Sequence, residues 1–309
     1  MTGPGDSARD DPAVPLPTPP TLAGADQPVE LIDTSRAHPA RRYDYWLGGK
    51  DNFAADRVSG NAIESIYPYI RTAAVQNRRF LRRAVRYLVT ETGVRQFLDV
   101  GTGLPSADNT HEVAQRVDPY ARIVYVDNDP LVLVHARALL AGTPEGATAY
   151  LRADLREPAT ILTHPGLAAT LDLKQPVALL LVAILHFVDT PHAYTVVRAL
   201  IDALAPGSYL VLSHATLELL PAGTSEKLAT TDYPGKAGFT ARTRAQITPF
   251  FDGLDLIEPG LTVVSQWRPE PGDTPPPPQQ VSVYGAVAHK PRPGGGTAMP
   301  TGRTAGRNP

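Results

Sequence analysis

Hydrophobic positions follow one spacing before about residue 93 and another after it. Within residues 81–88, four apolar side chains stand at positions i, i+3, i+4 and i+7, which predicts one buried helix face. Beyond residue 93, short apolar runs alternate with helical patterns, which indicates a parallel sheet with helices between its strands. The chain therefore predicts a helical block over residues 31–92 and an α/β domain over residues 93–290.

Start and stop signals divide the first block into three predicted helices. Pro39 suits the first position of a helix, and the glycine pair at 48–49 suits its end. The second helix ends before Pro68, because the residue before a proline disfavours helical geometry. The third is predicted over residues 72–90.

The third predicted helix carries a row of arginines. Arg78, Arg82 and Arg86 share one face, with Arg79 and Arg83 beside them. Such a row favours a solvated face whose arginine stems cover apolar surface. A nucleic-acid contact, or a contact with a substrate anion or a partner, is the alternative.

Seven strands and several helices are predicted after residue 93. The first five strands cover residues 96–100, 123–126, 149–152, 177–183 and 209–213. Further helices are predicted over residues 131–140, 194–204 and 240–251. Two closing strands, residues 260–266 and 281–288, are joined by a proline-rich loop.

Composition narrows the class of protein. The 309 residues, 42% of them hydrophobic, suffice for one large domain or two small ones, and two terminal segments, residues 1–30 and 291–309, are predicted to be disordered. A net charge of −2 gives no electrostatic argument for a nucleic acid or an anionic membrane. There is no cysteine, no signal-peptide pattern and no apolar run long enough to span a bilayer, so we expect a soluble, cytoplasmic protein.

A glycine turn follows the first predicted strand. Residues 97–105 read Phe-Leu-Asp-Val-Gly-Thr-Gly-Leu-Pro, and a helical pattern follows, with Ser106 or Asp108 available as its N-cap. Gly101 and Gly103 would let the backbone approach a nucleotide at the helix N-terminus. A dinucleotide fingerprint would need a third glycine at position 106, where the serine stands.

Three carboxylates end, or nearly end, three successive predicted strands: Asp99, Asp127 and Asp154. The carboxyl ends of parallel strands are where such sheets bind ligands, so we expect the three at one site. Asp127 can accept hydrogen bonds from both ribose hydroxyls, and Asp154 can accept one from the amine of an adenine. For each residue alone, a helix N-cap or a strand-end turn is the alternative role.

These motifs resemble those of the seven-stranded S-adenosylmethionine-dependent methyltransferases. Residues 97–103 are similar to the first motif of that group, residues 124–130 to the second and residues 152–155 to the third. Pro105 departs from the pattern, because many members have a glycine there. The resemblance implies a Rossmann-like class I methyltransferase, with a mostly parallel seven-stranded α/β sheet, helices on both faces and an N-terminal helical cap.

A narrower resemblance covers most of the chain. Residues 40–53 resemble the signature of an actinomycete-type family of S-adenosylmethionine methyltransferases whose substrates are mostly unknown. Residues 77–81, 184–188 and 267–269 are also similar to that family. The implied cofactor is S-adenosyl-L-methionine, and the implied reaction is methyl transfer to an oxygen or nitrogen of a small-molecule acceptor.

The resemblance also implies residue roles. Asp99 would hold the methionine amino group, Asp127 the ribose hydroxyls and Asp154 the adenine amine. The other implied cofactor contacts are Tyr43, Gly101, Thr102, Gly103, Asn128, Leu155 and Ala183.

Catalysis needs a base only if the acceptor keeps its proton near neutral pH. His186, just past the fourth strand, is the best-placed candidate, and a structural histidine is the alternative. The other histidines show no metal-ligand spacing, so we predict no metal. Three other functions stay open: a non-catalytic cofactor-binding regulator, an RNA or protein methyltransferase, and a nicotinamide dehydrogenase.

The segment over residues 43–53 has two interpretations. Its aromatic residues flank the glycine pair at 48–49. They either pack the helical cap on the sheet or form a lid over the cofactor.

Overall fold

The structure, a computed structural model, describes residues 32–139, 142–236 and 238–292, without the side chains of 133 and 136–139. Both predicted disordered tails lie outside the described residues, except for residues 291 and 292. Among the described residues, no helix combines the length and apolar character that crossing a bilayer requires.

The helical block contains the three predicted helices, α1 (Pro39–Trp46), α2 (Ala54–Ile66) and α3 (Ile70–Thr92). Helix α1 begins with a proline, as predicted, and α3 ends at Gly93 in the left-handed conformation. Helix α3 is two residues longer at each end than the sequence predicted. Its predicted apolar face is buried.

The sheet has eight strands. They are β1 (Gln96–Val100), β2 (Arg122–Asp127), β3 (Ala147–Arg152), β4 (Ala178–Val182), β5 (Tyr209–Ala215), β6 (Asp255–Leu256), β7 (Thr262–Val263) and β8 (Val283–His289). The order is β3-β2-β1-β4-β5-β8-β6, with β7 also paired to β8. Strands β1 to β5 are parallel, and β8 runs antiparallel to β5.

The mostly parallel α/β sheet predicted from the sequence is confirmed, with one more strand than the predicted seven. Strand β6 pairs with His289 and Ala288 of β8, whereas β7 pairs with Gly285 and Tyr284. Because β5 pairs along the whole of β8, both short strands lie on its other edge. Together they fill the seventh position of the sheet.

In the described part of the chain, seven further α-helices lie between the strands: α4 (Thr110–Val117), α5 (Pro130–Leu139), α6 (Pro158–Leu162), α7 (Pro165–Thr170), α8 (Thr190–Asp202), α9 (Ala222–Thr230) and α10 (Arg244–Ile247). Helix α9 has no buried residue, so no hydrophobic pattern marks it in the sequence. The N-cap of α4 is Asn109 rather than Ser106 or Asp108, and the Glu112 carboxylate accepts the Asn109 N–H at 2.9 Å.

Two predicted elements near the C-terminus are shorter than expected. The predicted helix over 240–251 is α10 followed by a 3-10 turn, Thr248–Phe251. Pro249 has no N–H to continue the α-helical hydrogen bonds. The predicted strand over 260–266 is β7 followed by a second 3-10 turn, Val264–Gln266.

Helix α3 packs against the sheet around Trp267, which is fully buried. The ring of Phe80 meets the indole edge-on at 5.5 Å between centroids. Arg83 is buried and donates hydrogen bonds to the Trp267 and Val264 carbonyls at 2.9 and 2.6 Å. The interpretation of this arginine as part of a solvated face is therefore wrong.

Candidate functional site

A cavity of about 640 Å³ lies where the carboxyl ends of the parallel strands meet the helical block. One side of the cavity is lined by residues at or just after the C-terminal ends of strands β1 to β4, up to Ala183. We call this side the strand-end wall. We call the rest the cap wall, which comes from α1 to α3, the 3-10 turn Leu185–Phe187 and residues 215–241 and 281–283. All eleven site residues predicted from the sequence line this cavity.

The glycine turn after β1 gives the strand-end wall its shape. Gly101 and Gly103 both have positive φ, +75° and +67°. A Cβ atom on Gly101 would lie 2.4 Å from Cγ1 of Ile184, so the turn packs too closely for any side chain. A Cβ atom on Gly103 would meet nothing nearer than Ala40 at 3.9 Å. Gly103 therefore leaves open space in the cavity that a ligand can occupy.

Asp127 ties the ends of β1 and β2 together. Its Oδ2 accepts the Gly103 N–H at 2.8 Å, and its Oδ1 accepts the Asp129 N–H at 2.9 Å. Burial raises the pKa of Asp127, and these two hydrogen bonds oppose the shift. Each oxygen keeps a lone pair, so the carboxylate can also accept from ligand hydroxyls.

Asp99 is buried beside α4. The Thr110 hydroxyl donates to its Oδ2 at 2.6 Å. Burial raises the pKa of Asp99 to about 6, and the hydrogen bond from Thr110 and the charge of Arg78 work against that rise. A bound cation would favour the ionised form of this carboxyl.

Arg78 is a cavity residue that the sequence interpretation missed. It lines the cavity and donates to Oδ1 of Asn109 at 3.0 Å. The missed signal is helical spacing, because Ala74, Asn77 and Leu81 lie on the same face and also line the cavity. Arg78 therefore supplies a positive charge close to the Asp99 carboxylate.

Asn128 and Asp154 lie together after β2 and β3. The Asn128 side-chain amide donates to Oδ2 of Asp154 at 3.3 Å, and Arg156 Nε donates to Oδ1 at 3.0 Å. Partial burial raises the pKa of Asp154, but the hydrogen bonds from Arg156 outweigh it and the pKa is lowered. Leu155 beside them is buried.

Ala183, directly after β4, has a strained backbone. Its φ is +57°, a region that residues other than glycine rarely adopt, at a cost of about 1–3 kcal/mol. The Ser213 hydroxyl and carbonyl hold it there, accepting its N–H at 3.0 and 3.2 Å. Such strain is typical of ligand sites.

His186 lies on the 3-10 turn that follows β4. Its ring packs against Phe187, His214 and Phe239, and its Nδ1 is buried without a hydrogen-bond partner. Burial, together with the nearby His214 and Arg242, lowers the pKa of His186 well below 6.5. The imidazole is therefore neutral at pH 7, the state that can accept a proton.

Tyr43 lines the cavity, but its hydroxyl is engaged within the protein. It donates to the Ala74 carbonyl at 3.0 Å and accepts from the Asn77 amide at 2.9 Å. Burial raises the pKa of Tyr43. Its predicted reach toward the methionine end of the cofactor stays a prediction.

The aromatic residues around the glycine pair pack inward. The Trp46 indole N–H donates to the Gly60 carbonyl at 3.4 Å, and Phe53 packs against Leu104 and Leu131. These contacts favour the packing interpretation of residues 43–53. The lid interpretation stays a prediction.

Two of the outer arginines of α3, Arg82 and Arg86, form ion pairs within the chain, whereas Arg79 is exposed. Arg82 contacts carboxylate oxygens of Asp108 and Glu270 at 3.5 and 3.0 Å, and Arg86 contacts Glu270 at 3.2 Å. Partnered side chains of this kind offer a nucleic acid little free charge. Among the described residues, no group of three or more His, Cys, Asp or Glu side chains is arranged to hold a metal ion.

Comparisons with known proteins add a family and two structural relatives. A family model described as S-adenosyl methyltransferase matches residues 25–291. The chain is 45% identical to a DUF574 family protein from Streptomyces avermitilis, with a TM-score of 0.77 over 84% of this chain and 100% of that one. It is 42% identical to a candidate methyltransferase from Thermobifida fusca, with a TM-score of 0.77 over 84% and 97%. The comparison with curated proteins gives no significant match.

Proposed function

We propose that this chain, which belongs to the S-adenosyl methyltransferase family, methylates a small molecule bound in the cavity between the strand-end wall and the cap wall. Membership of the family makes the protein an S-adenosylmethionine-dependent methyltransferase. It confirms the family and the cofactor predicted from the sequence. The residue roles and the acceptor are proposals.

The strand-end wall suits the cofactor in both charge and space. Asp127 would accept from the ribose hydroxyls, and Gly103 leaves room for the ligand beside them. The Asp99 carboxylate would match the ammonium of the cofactor's methionine end, and the Arg78 guanidinium would match its carboxylate. The remaining proposed contacts are Tyr43, Gly101, Thr102, Asn128, Asp154, Leu155 and Ala183.

The cofactor, when bound, supplies an electrophilic methyl group on a sulfonium. The protein's part is to align the acceptor with that group and to exclude water. His186 is neutral and lines the cavity, so it would take the proton from an acceptor that keeps one near pH 7.

The cap wall lines the same cavity as the strand-end wall, to which we assign the cofactor. This continuity is the observation that supports a small acceptor. Apolar side chains of α2, α3 and the segment after β5 line the cavity, among them Ile63, Tyr67 and Leu217. A polymer needs an open, charged groove, whereas Arg82 on the outer face of α3 pairs with Asp108 and Glu270. A small, partly apolar molecule fits such a wall better than RNA does.

Calorimetric titration with S-adenosylhomocysteine tests the cofactor roles. We expect Asp127→Asn and Arg78→Gln each to weaken binding by about 1–3 kcal/mol, the scale for unpairing a buried polar group. Asp202→Asn is the control, because that carboxylate is exposed and forms an ion pair with Arg198. Unchanged affinity in Asp127→Asn would remove this residue from the site.

A broad acceptor panel separates an enzyme from a non-catalytic regulator. An active methyltransferase yields a methylated product detectable by mass spectrometry. Tight cofactor binding with slow release of S-adenosylhomocysteine, and no product from any acceptor, would favour the regulator. The cytoplasmic location and the absence of a metal stay predictions.

A further inference from the structure

Arg42 is a buried cation in the cap wall that, among the described residues, forms no ion pair; burial lowers its pKa, and the charge of Asp56 only partly opposes that shift. The Arg42 side chain belongs to α1, and the residue is 4% exposed. Nη1 donates to the Ser59 hydroxyl at 3.0 Å and to the Gly235 and Pro234 carbonyls at 2.8 and 3.4 Å. In the described part of the chain, none of these acceptors carries a charge, and Nε is buried with no acceptor at all.

The carboxylates near Arg42 are committed elsewhere. The two oxygens of Asp56 accept the backbone N–H groups of His38 and Phe53 at 2.8 and 2.9 Å. Asp44 lines the same wall, but its Oδ2 accepts from Asn52 at 2.8 Å and from the backbone of residue 51. Neither carboxylate forms an ion pair with the guanidinium.

A buried charge without a partner is costly, so such a group is normally paired or marks a ligand. Arg42 lines the cavity, as does His186 with its own unpartnered Nδ1. The segment after α9 contacts both residues, because Arg42 donates to the Gly235 carbonyl at 2.8 Å and the His186 carbonyl accepts the Thr240 N–H at 2.7 Å. Both residues line the cavity, and in the described part of the chain Nη2 of Arg42 forms no hydrogen bond and is not among the fully buried atoms, so this nitrogen is available to a ligand.

The rest of the cap wall limits what that ligand can be. Apolar side chains surround the site, including Ile70, Leu220 and Phe239. Lys236 is a second cation in this wall, but its ammonium donates to the Ala229 and Thr231 carbonyls at the end of α9. The acceptors of Lys236 carry no charge either, but this residue is only partly buried, so the buried cation is Arg42, whose single charge matches a monoanion better than a phosphate dianion.

We propose that the methyl acceptor is an apolar monocarboxylate whose carboxylate group binds Arg42 while its apolar body packs against the cap wall. The inference rests on the proposed function, because it assigns the cap wall to the acceptor. Arg78 is left for the cofactor carboxylate, so Arg42 and Arg78 serve different ligands, and the third arginine of the cavity, Arg156, pairs with Asp154.

The test uses the full chain saturated with S-adenosylhomocysteine. Benzoate, 3-phenylpropionate and octanoate are titrated by calorimetry, each beside its primary amide, which keeps the shape and removes the charge. We expect at least one acid to bind tenfold or more tightly than its amide, which corresponds to about 1.4 kcal/mol. Acids that bind no better than their amides in the wild-type protein overturn the proposal.

Variants of the two arginines give opposite expectations. Arg42→Gln should reduce the acid preference to about twofold or less and leave S-adenosylhomocysteine affinity unchanged. Arg78→Gln should weaken S-adenosylhomocysteine and, once saturated, keep the acid preference. Arg198→Gln, at an exposed residue that pairs with Asp202, is the matched control.

Two results would contradict the assignment of Arg42. The first is a folded Arg42→Gln variant that keeps the full acid preference. The second is an Arg42→Gln variant that loses cofactor affinity as strongly as Arg78→Gln does. Arg42→Lys retains a charge and should keep part of the preference, so it decides the question if the glutamine variant does not fold. If wild-type protein fails to bind S-adenosylhomocysteine, the proposed function itself fails.

Discussion

The two walls of the cavity differ in how their buried polar groups are satisfied. On the strand-end wall, Asp127 accepts two backbone N–H groups and Asp99 accepts a hydroxyl. On the cap wall, three buried polar atoms have no partner: Arg42 Nε, Asn77 Oδ1 and His186 Nδ1. Among the described residues, every buried unpartnered side-chain atom that belongs to a cavity-lining residue is on the cap wall.

This difference separates a site that is organised before the ligand arrives from one that the ligand must complete. An unmade hydrogen bond at a buried group costs about 1–3 kcal/mol. On the strand-end wall, backbone N–H groups and the Thr110 hydroxyl already donate to the buried carboxylates. Their geometry is therefore fixed before a ligand binds. Under the proposal made above, the acceptor would supply the partners that the buried groups of the cap wall lack.

The largest expected effect tests how tightly the strand-end wall is built. Gly101→Ala should lower the free energy of unfolding by about 2–4 kcal/mol, because strain at positive φ adds to overlap with Ile184. Gly93→Ala is the matched control. Gly93 has a similar φ of +70° and nothing within 4 Å of its Cβ position, so the cost should be about 1 kcal/mol. Denaturant unfolding measures both, and equal losses would contradict the crowding argument.

A smaller effect tests the charge of the strand-end wall. Below its pKa of about 6, Asp99 is mostly protonated and cannot pair with an ammonium. Affinity for S-adenosylhomocysteine should therefore rise by about tenfold from pH 5 to pH 7, since ligand binding stabilises the ionised carboxyl. Calorimetry across this range measures the slope.

Two asparagine variants separate the sources of that slope. Asp99→Asn should flatten it, because the titrating group is gone. Asp154→Asn should keep it, because the pKa of Asp154 is lowered and this group is ionised throughout the range. A slope that survives Asp99→Asn would assign the titration to another group, and Asp127 and His38 also lie in the cavity wall.

The smallest expected effect tests whether the cap wall responds to the cofactor. If residues 43–53 close over the strand-end wall, their amide hydrogens should exchange severalfold more slowly after S-adenosylhomocysteine is added. Strand β6 at the far edge of the sheet is the internal control. Unaltered exchange over residues 43–53 would contradict the lid interpretation. Packing of the helical cap on the sheet would then be the remaining interpretation.

Local sequence signals predicted the strand-end wall. The glycine turn and the three strand-end carboxylates each lie within a few residues of a strong strand pattern, and parallel strands bring their carboxyl ends together. The family resemblance implied Ala183, and the position of His186 just past the fourth strand made it the candidate base; both line the cavity. The short elements after residue 215 were predicted less well, because α9 has no buried residue and Pro249 shortens the helix expected there.

The surroundings of the charged side chains in and near the cap wall depend on long-range contacts that no local sequence pattern encodes. Arg78, Arg82 and Arg83 stand within six residues on one helix, yet one lines the cavity, one pairs with acids and one is buried under Trp267. Their different surroundings come from segments far away in the chain. Helical periodicity gives the face on which a residue lies, but it does not say what packs against that face.

By itself, the sequence predicted the order of strands β1 to β5, the edge of the sheet at which the cavity lies and the family, because these follow from short-range periodicity and contiguous motifs. Only the tertiary structure decided which charges are left without a partner. Arg42 meets Ser59 and Gly235, which lie 17 and 193 residues away along the chain. Whether a buried charge is paired depends on such long-range contacts, and they form only when the chain folds.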